Sequence, residues 1–557
     1  MSKFKERLHQ VWQKNWLRCI TYGALGCLLG FSFNSGTFYF AKFILLPFFF
    51  IAALFERAYV QSVFLFWLGY LAVALSWLVQ PLMIDLSAYS ALIPIARLGI
   101  PAYFSLLLVI PVYLVRKYIP EDRLFQFWPL IFAEFAVMCF IGHGELGFPW
   151  ALPGYCDSPY RNFERFAIWG LYGETLFWLV LSGTMTCVFY PIIVAKPKNH
   201  VANNQGVKDL LFRIMQSVDN CGKANNIIQL KRYDPKDSSS SCRLYITASM
   251  VLMCTFCSIV WQVTDPSART LKSYRERYLP NSLTECDSPK FTDCKIRCVH
   301  MPISQRNRMN PNLYSRNFKS YLDLSLTNDK VDFVIWPEAN IPWLLKDNSW
   351  QIRQQLARVV PKNGYLLTGA VRQDSTGRTY NSLVAIDQFG ETVAYYDKKH
   401  LAPFGEYIPF RRFIPKFLDP IASSIGDFDR GKVSNIITVK GLRIAVAICY
   451  EAIFPGTIIP ANEYADAILV ISNDAWFGEN GIESKQYTNI VRMRAVEEGV
   501  PVIKVSNCGS CMVFDSNGFT VNPESSDGFV STYRLPKRTK YKTTYKKLRA
   551  FLQKLFH

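Results

Sequence analysis

Seven stretches of this chain, near residues 17–34, 37–55, 59–79, 96–116, 124–142, 166–195 and 243–263, are predominantly apolar over the length of a membrane helix. A helix of about 20 residues matches the roughly 30 Å hydrocarbon core of a bilayer. Nothing else in the sequence constrains the fold as strongly. In lipid every backbone polar group needs an internal partner, and a helix supplies them all. The composition agrees: of 557 residues 50% are hydrophobic, 15% aromatic and only 19% charged. That balance suits a chain that is part membrane bundle and part soluble domain.

The net charge of +19 raises the possibility of nucleic acid, but the basic residues gather at the chain ends and between apolar spans. That distribution points to lipid headgroups and topology, and away from a nucleic-acid partner. Lys3, Lys5, Arg7, Lys14 and Arg18 precede the first span, and no small-residue cleavage site follows it, so it reads as an anchor and not a signal peptide. Arg57, then Arg116, Lys117 and Arg123, then a cluster from Lys196 to Lys236 mark alternate loops, whereas 80–90 has no Lys or Arg and 143–165 has only Arg161 and Arg165. The N-terminus is therefore expected in the cytoplasm, and everything after about residue 264 on the far side. Residues 1–196 then hold six membrane helices, 197–242 a polar cytoplasmic loop, and 243–263 the seventh helix. Glu134 and Glu174 fall inside apolar spans, where an acid faces either a cavity or an internal partner.

From about residue 290 the pattern changes. Short β-type runs at 295–301, 332–336, 365–370, 382–387, 392–396, 442–448, 467–472 and 502–505 alternate with helical stretches near 313–326, 348–359 and 484–498. This alternation predicts an α/β domain over 264–535. The basic segment 536–557 is not apolar enough to span and reads as a solvated tail, with a membrane-surface helix as the alternative.

Of fifteen cysteines, Cys27, Cys139, Cys187, Cys254 and Cys257 lie in apolar spans and read as small buried hydrophobes. Cys286, Cys294, Cys298, Cys508 and Cys511 are spaced irregularly and lack partner histidines, so no zinc site or other metal is expected; an oxidising compartment would allow disulfides among them. No Gly-rich phosphate loop or internal repeat calls for a cofactor.

Three run-endings carry chemistry. Glu338, Lys398 and Cys449 each stand just past a short apolar strand. A cysteine nucleophile must be a thiolate or lose its proton to a base as it attacks, and a buried Glu338 suits that base. Lys398 and a backbone N–H near Cys449 suit the oxyanion that forms. Each residue alone is weak evidence, but three strand ends on one rim suit a preorganised site.

The contexts Trp336-Pro337-Glu338, Tyr396-Asp397-Lys398 onward to Pro409, and Ile448-Cys449-Tyr450-Glu451 resemble the nitrilase, or carbon–nitrogen hydrolase, superfamily. The whole 396–409 segment and the preceding membrane region resemble its apolipoprotein N-acyltransferase family. So do Asn473-Asp474-Ala475-Trp476-Phe477-Gly478, Arg494-Ala495-Val496-Glu497, Ser506-Asn507-Cys508-Gly509, and the loop with Gly147-Phe148-Pro149-Trp150 and Gly154-Tyr155. The resemblance implies an αββα sandwich on the extracytoplasmic side of a bacterial inner membrane, needing no cofactor. It implies a ping-pong reaction: Cys449 takes an acyl group from a phospholipid as a thioester and passes it to the N-terminal α-amine of a diacylated apolipoprotein. Glu338 would be general base and Lys398 would stabilise the tetrahedral intermediate. Glu406 would support both, Tyr450 and Glu451 would line the site, and Trp476 and Trp150 would shape a lipid-facing pocket. The apolar segment Pro409–Phe428 reads as a membrane-facing lid, or else as an ordinary packed loop.

The sequence departs from the family pattern in several places. The eighth membrane helix that the family has after its catalytic domain is not evident in 536–557; Val137 stands where an arginine is common, 302–316 lacks a tryptophan, and Tyr487 replaces a histidine after Gln486. The competing readings are a membrane-tethered amidase that uses the same trio, an inactive lipid- or lipoprotein-binding relative, and a transporter. The intact trio disfavours the second. The third calls for paired polar breaks or inverted repeats, which do not stand out.

Overall fold

The structure is a computed structural model and describes residues 15–35, 41–83, 90–119, 126–143, 147–156, 164–194, 291–326, 330–409, 427–478, 481–539 and 542–556. The expected seventh span at 243–263, the loop 197–242, Cys286, and all but the ends of the 409–428 segment lie outside the described residues.

All six remaining spans are helical: α1 Asn15–Ser35, α2 Lys42–Phe55, α3 Tyr59–Ala74, α4 Ile100–Tyr118, α5 Phe127–Ile141 and α6 Glu164–Val194. They are not all of full length. Among the described residues three helices are long and apolar enough to cross a membrane, and α3 makes a fourth only if joined across a 44° bend to the 3-10 turn Ser76–Met83. The helix α2 has 14 residues and α5 has 15; they end at Phe55 and Ile141, at or within one residue of the ends of the expected spans 37–55 and 124–142, and 37–40 and 124–125 lie outside the described residues. The chain turns extended at Glu56, whose carboxylate takes hydrogen bonds from Arg18 (3.1 Å) and Tyr22 (3.1 Å) on α1. Arg116 caps the same end of the bundle by donating to the Ala53 and Leu54 carbonyls. The opposite end meets the α/β domain.

The two membrane acids differ. Glu174 is internally satisfied, by Trp169, Trp178 and Arg165. Glu134 is fully buried, and neither carboxylate oxygen has a hydrogen-bond partner among the described residues.

The α/β domain has two sheets. The first holds β1 Phe291–Val299, β2 Phe333–Ile335, β3 Ile341–Leu345, β4 Tyr365–Gln373, β5 Thr379–Ile386, β6 Thr392–Asp397, and the late strands β13 Ser525–Ser526 and β14 Val530–Pro536, in the order β13-β14-β1-β2-β4-β5-β6 with β3 on β4. The second holds β7 Ile436–Val439, β8 Leu442–Ile448, β9 Ala467–Asn473, β10 Val502–Asn507, β11 Met512–Phe514 and β12 Thr520–Val521, in the order β12-β11-β10-β9-β8-β7. Strand alternation builds the layers. Ile444, Val446 and Ile448 of β8 face the first sheet's Phe333, Ile335 and Leu367, whereas Ala445 and Ala447 face a core shared with the helical bundle. The helices α7 Tyr314–Ser325 and α8 Trp350–Ala357 cover the first sheet, and α9 Ile482–Glu498 covers the second. This is the expected αββα sandwich. Every strand and helix read from the sequence between 295 and 505 is present, to within a few residues at each end.

The basic tail is not simply solvated. It forms α10 Thr544–Phe556, whose Tyr545 and Lys546 are buried and whose Arg549 pairs with Glu498 at 2.5 Å. Buried partners overrode the local polarity on which the solvated reading rested.

Candidate active site

The strand β2 ends at Ile335, and the chain turns through Pro337 to Glu338 with Ala339 at φ 44°. This turn lies hard against β4. A Cβ at Gly369 would sit 2.4 Å from the Ala339 nitrogen and 2.6 Å from Glu338 Cα, so only glycine permits the approach. The guanidinium of Arg308 donates to the Glu338 (3.0 Å) and Ala339 (2.5 Å) carbonyls and closes the turn from the other side.

Lys398 follows β6 and is 1% exposed. Its ammonium lies 2.9–3.0 Å from the two Glu406 oxygens and 3.5 Å from Glu338 Oε1. Asn381 of β5 completes the group, donating from Nδ2 to Glu338 Oε1 (2.8 Å) and Glu406 Oε1 (2.6 Å). The second Glu406 oxygen accepts from the Ala402 N–H at 2.7 Å. Glu338 Oε2 and Asn381 Oδ1 are buried with no hydrogen-bond partner among the described residues. Burial by itself would lower the Lys398 pKa, but Glu406 and then Glu338 more than offset it, and the net shift is upward. The lysine is a fixed cation.

Cys449 opens the 3-10 turn Cys449–Ile453 after β8, with φ 48°, a left-handed conformation costing a non-glycine residue about 1–2 kcal/mol. Tyr487 of α9 donates its hydroxyl to the Cys449 carbonyl at 2.7 Å and helps to hold this elbow. Burial pushes the thiol pKa well above its usual value, and the Glu338 charge adds to the rise; Lys398 and the Asn473 N–H oppose it. Burial thus favours the thiol over the thiolate at this sulfur.

Glu451 does not face the reacting groups as a free carboxylate. It accepts from Tyr396 Oη (2.6 Å) and from the N–H groups of Lys399 (2.9 Å), His400 (3.1 Å) and Ile448 (2.8 Å), tying the segment after Lys398 to the cysteine elbow. Tyr450 reaches out of the domain to the Gly147 carbonyl at 2.6 Å. Trp150 is 2% exposed, stacks on Tyr487 (centroids 6.1 Å, planes 4° apart) and donates to Gln486 at 3.2 Å. The structure puts Phe477, not Trp476, in this aromatic cluster, 5.7 Å from Trp150 and 5.1 Å from Trp77; Trp476 is half-buried beside it in sequence.

Sequence reading missed Asn381, Arg308, Tyr487 as a contact, and Lys504. Asn381 stands one residue before the run read as β5, so its place on the rim was hidden. Lys504 is fully buried inside β10 and pairs with Asp474 at 2.8 Å, fixing the turn after β9. A lysine in an apolar strand was the available signal. Cys294, Cys298 and Cys511 form no disulfide among the described residues. Among the described residues, no group of three or more His, Cys, Asp or Glu side chains is placed to hold a metal.

Tyr487→Phe keeps the stack on Trp150 but removes the hydrogen bond to the elbow. A net loss of about 1 kcal/mol predicts that reactions of the Cys449 thiol run roughly fivefold slower with KM unchanged. Single-turnover kinetics check this, and an unchanged rate would show that the elbow holds without the hydroxyl.

The carbon-nitrogen hydrolase family model matches residues 296–538. The apolipoprotein N-acyltransferase of Allorhizobium ampelinum is 34% identical over 249 residues, 42% of this chain and 46% of that protein. That of Rhizobium leguminosarum bv. trifolii is 28% identical over 470 residues, 82% of this chain and 75% of that protein. The strongest matches thus span about half the length of the curated relatives, as the 46% coverage shows. An amidase structure from Nesterenkonia sp. aligns over 48% of this chain and 98% of its own, at 16% identity and a TM-score of 0.36. The chain therefore carries a carbon–nitrogen hydrolase domain at residues 296–538, behind a bundle of apolar helices, and is a homologue of proteins named apolipoprotein N-acyltransferase.

Proposed function

We propose that this protein is an N-acyltransferase that moves a fatty acyl group from a phospholipid to the N-terminal α-amine of a diacylglyceryl-cysteine lipoprotein, by way of a thioester on Cys449. The observation that carries this reading is one buried hydrogen-bonded group. Glu338, Asn381, Lys398 and Glu406 close together at the rim that bears Cys449, and that rim is joined to the apolar 147–156 loop through Tyr450 and through Tyr487 stacked on Trp150. The names of the relatives support the same reading.

The steps follow from the groups present. The Cys449 thiol gives its proton to the open Oε2 of Glu338 as sulfur attacks the ester carbonyl. The oxyanion forms beside the Lys398 ammonium. The C–O bond breaks, the proton on Glu338 passes to the leaving oxygen, and lysophospholipid departs. The lipoprotein amine then attacks the thioester, Glu338 takes the amine proton, and the thiolate leaves and is reprotonated. With the domain on the extracytoplasmic side of an inner membrane, both substrates lie in the leaflet beside the site. Glu406 and Asn381 position the base and the cation, and Glu451 positions the two loops that bear Lys398 and Cys449.

Intact-mass spectrometry of the purified protein given phospholipid alone tests this. The expected result is one fatty acyl adduct on Cys449, discharged by a diacylated lipopeptide with a free α-amine. Discharge only to water would favour a tethered amidase, and no adduct on a folded protein would sink the enzyme reading.

A further inference from the structure

The helix α10 has two unlike faces. Its sequence TYKKLRAFLQKLF has four basic residues and no acid. One face is fastened down. Tyr545 covers Gly170 so closely that a Cβ there would lie 2.4 Å from its ring, Lys546 sits 3.3 Å from Glu498, and Arg549 pairs with Glu498 and donates to the Ile459 carbonyl at 3.0 Å. The adjoining face carries Leu548, Phe551 and Leu552, which are 43%, 61% and 40% exposed. The spacing i, i+3, i+4 makes them one continuous stripe. Lys547 and Lys554 are exposed one turn to either side of Phe551.

The height of this stripe is set by its anchor. The backbone of α6 breaks at Gly170 (φ 66°), and the Leu171 N–H, at the start of the helix beyond the break, donates to Glu497 of the α/β domain at 3.0 Å. Gly170 thus marks the junction of bundle and domain. Asn34 bonded to Gln486, and Tyr155 bonded to Arg494, mark the same junction. A bilayer around the bundle has its headgroups at this level. The residues of α10 stand where they would lie in that headgroup layer.

We propose that α10 is an interfacial lipid-binding helix, with Leu548, Phe551 and Leu552 inserted among acyl chains and Lys547 and Lys554 directed at the phosphates of anionic phospholipids. A short basic helix with a large apolar stripe is suited to this surface. The inference rests on the membrane placement of the bundle and not on the acyl-transfer chemistry.

The test places p-benzoylphenylalanine at position 551 of the full chain in lipid nanodiscs, with the same group at position 106 as a reference, since Leu106 of α4 is 57% exposed on the bundle. Irradiation followed by mass spectrometry is expected to give lipid adducts at both positions. With mixed phosphatidylglycerol and phosphatidylcholine, the adducts at 551 should favour the anionic lipid by about fivefold, and Lys547→Gln with Lys554→Gln should abolish that preference. Lipid adducts at 106 but none at 551, or only protein adducts at 551, overturn the proposal while the membrane reading stands. No lipid adduct at either position overturns both. Lipid adducts at 551 without headgroup preference overturn the part assigned to the lysines.

Discussion

Replacing Cys449 with alanine is expected to abolish acyl transfer, a loss on the order of 10⁶-fold, while the protein still inserts and folds. The chemical reason is that no other group on the rim can hold the acyl chain covalently. Glu338 and Glu406 are engaged with Lys398 and Asn381, and the Tyr487 hydroxyl is turned to the backbone of Cys449 itself. The structural reason for intact folding is that alanine loses only one partly buried sulfur and keeps the backbone of the elbow. Cys449→Ser is expected to fail almost as completely, because a hydroxyl is a far weaker nucleophile than a thiol when the only base is a carboxylate. The same setting predicts a pH response. Burial and then Glu338 hold the thiol pKa well above 9.0, so its alkylation by iodoacetamide should keep accelerating past pH 9, where an ordinary cysteine levels off. Intact mass after incubation with phospholipid reads the first result and timed alkylation the second. An acyl adduct elsewhere on the Cys449→Ala protein would overturn the assignment of the nucleophile.

Much of this site was legible because each reacting residue follows a short strand whose apolar run is local. Val334-Ile335, Tyr395-Tyr396 and Ala447-Ile448 announce their strands without help, and Glu338, Lys398 and Cys449 are the first suitable groups beyond them. What the sequence hid was tertiary. Asn381 bonds to both Glu338 and Glu406 across 43 and 25 positions, and Tyr487 meets Cys449 across 38. No spacing rule links such residues. One helix length was hidden for another reason: hydropathy counts apolar residues and does not see the bend after Ala74. The tail was misjudged because its lysines look solvated until Glu498 and Gly170, 48 and 375 positions before Lys546 and Tyr545, are folded against it. In all three cases local pattern gave the element, and long-range contact set its end or its role.

Lys398→Met separates catalysis from stability. The substitution removes the one cation between Glu338 and Glu406, which are 6% and 8% exposed. Leaving buried charge unpaired is expected to destabilise the domain by about 3–5 kcal/mol near neutral pH. Two carboxylates left facing one another in a dry site, without the ammonium between them, repel. Adding Glu406→Gln removes one of the two charges, keeps an oxygen for the Ala402 N–H, and should restore most of the stability at pH 7. It should not restore the rate. The oxyanion would still lack its ammonium, a loss of about 10²–10³-fold in cysteine acylation. Thermal unfolding at pH 7, together with single-turnover acylation of both variants, distinguishes the two roles. A double variant that regained the parent rate would show that Lys398 only neutralises its two glutamates, and the tetrahedral intermediate would then have to be stabilised by backbone N–H groups of the Cys449 elbow.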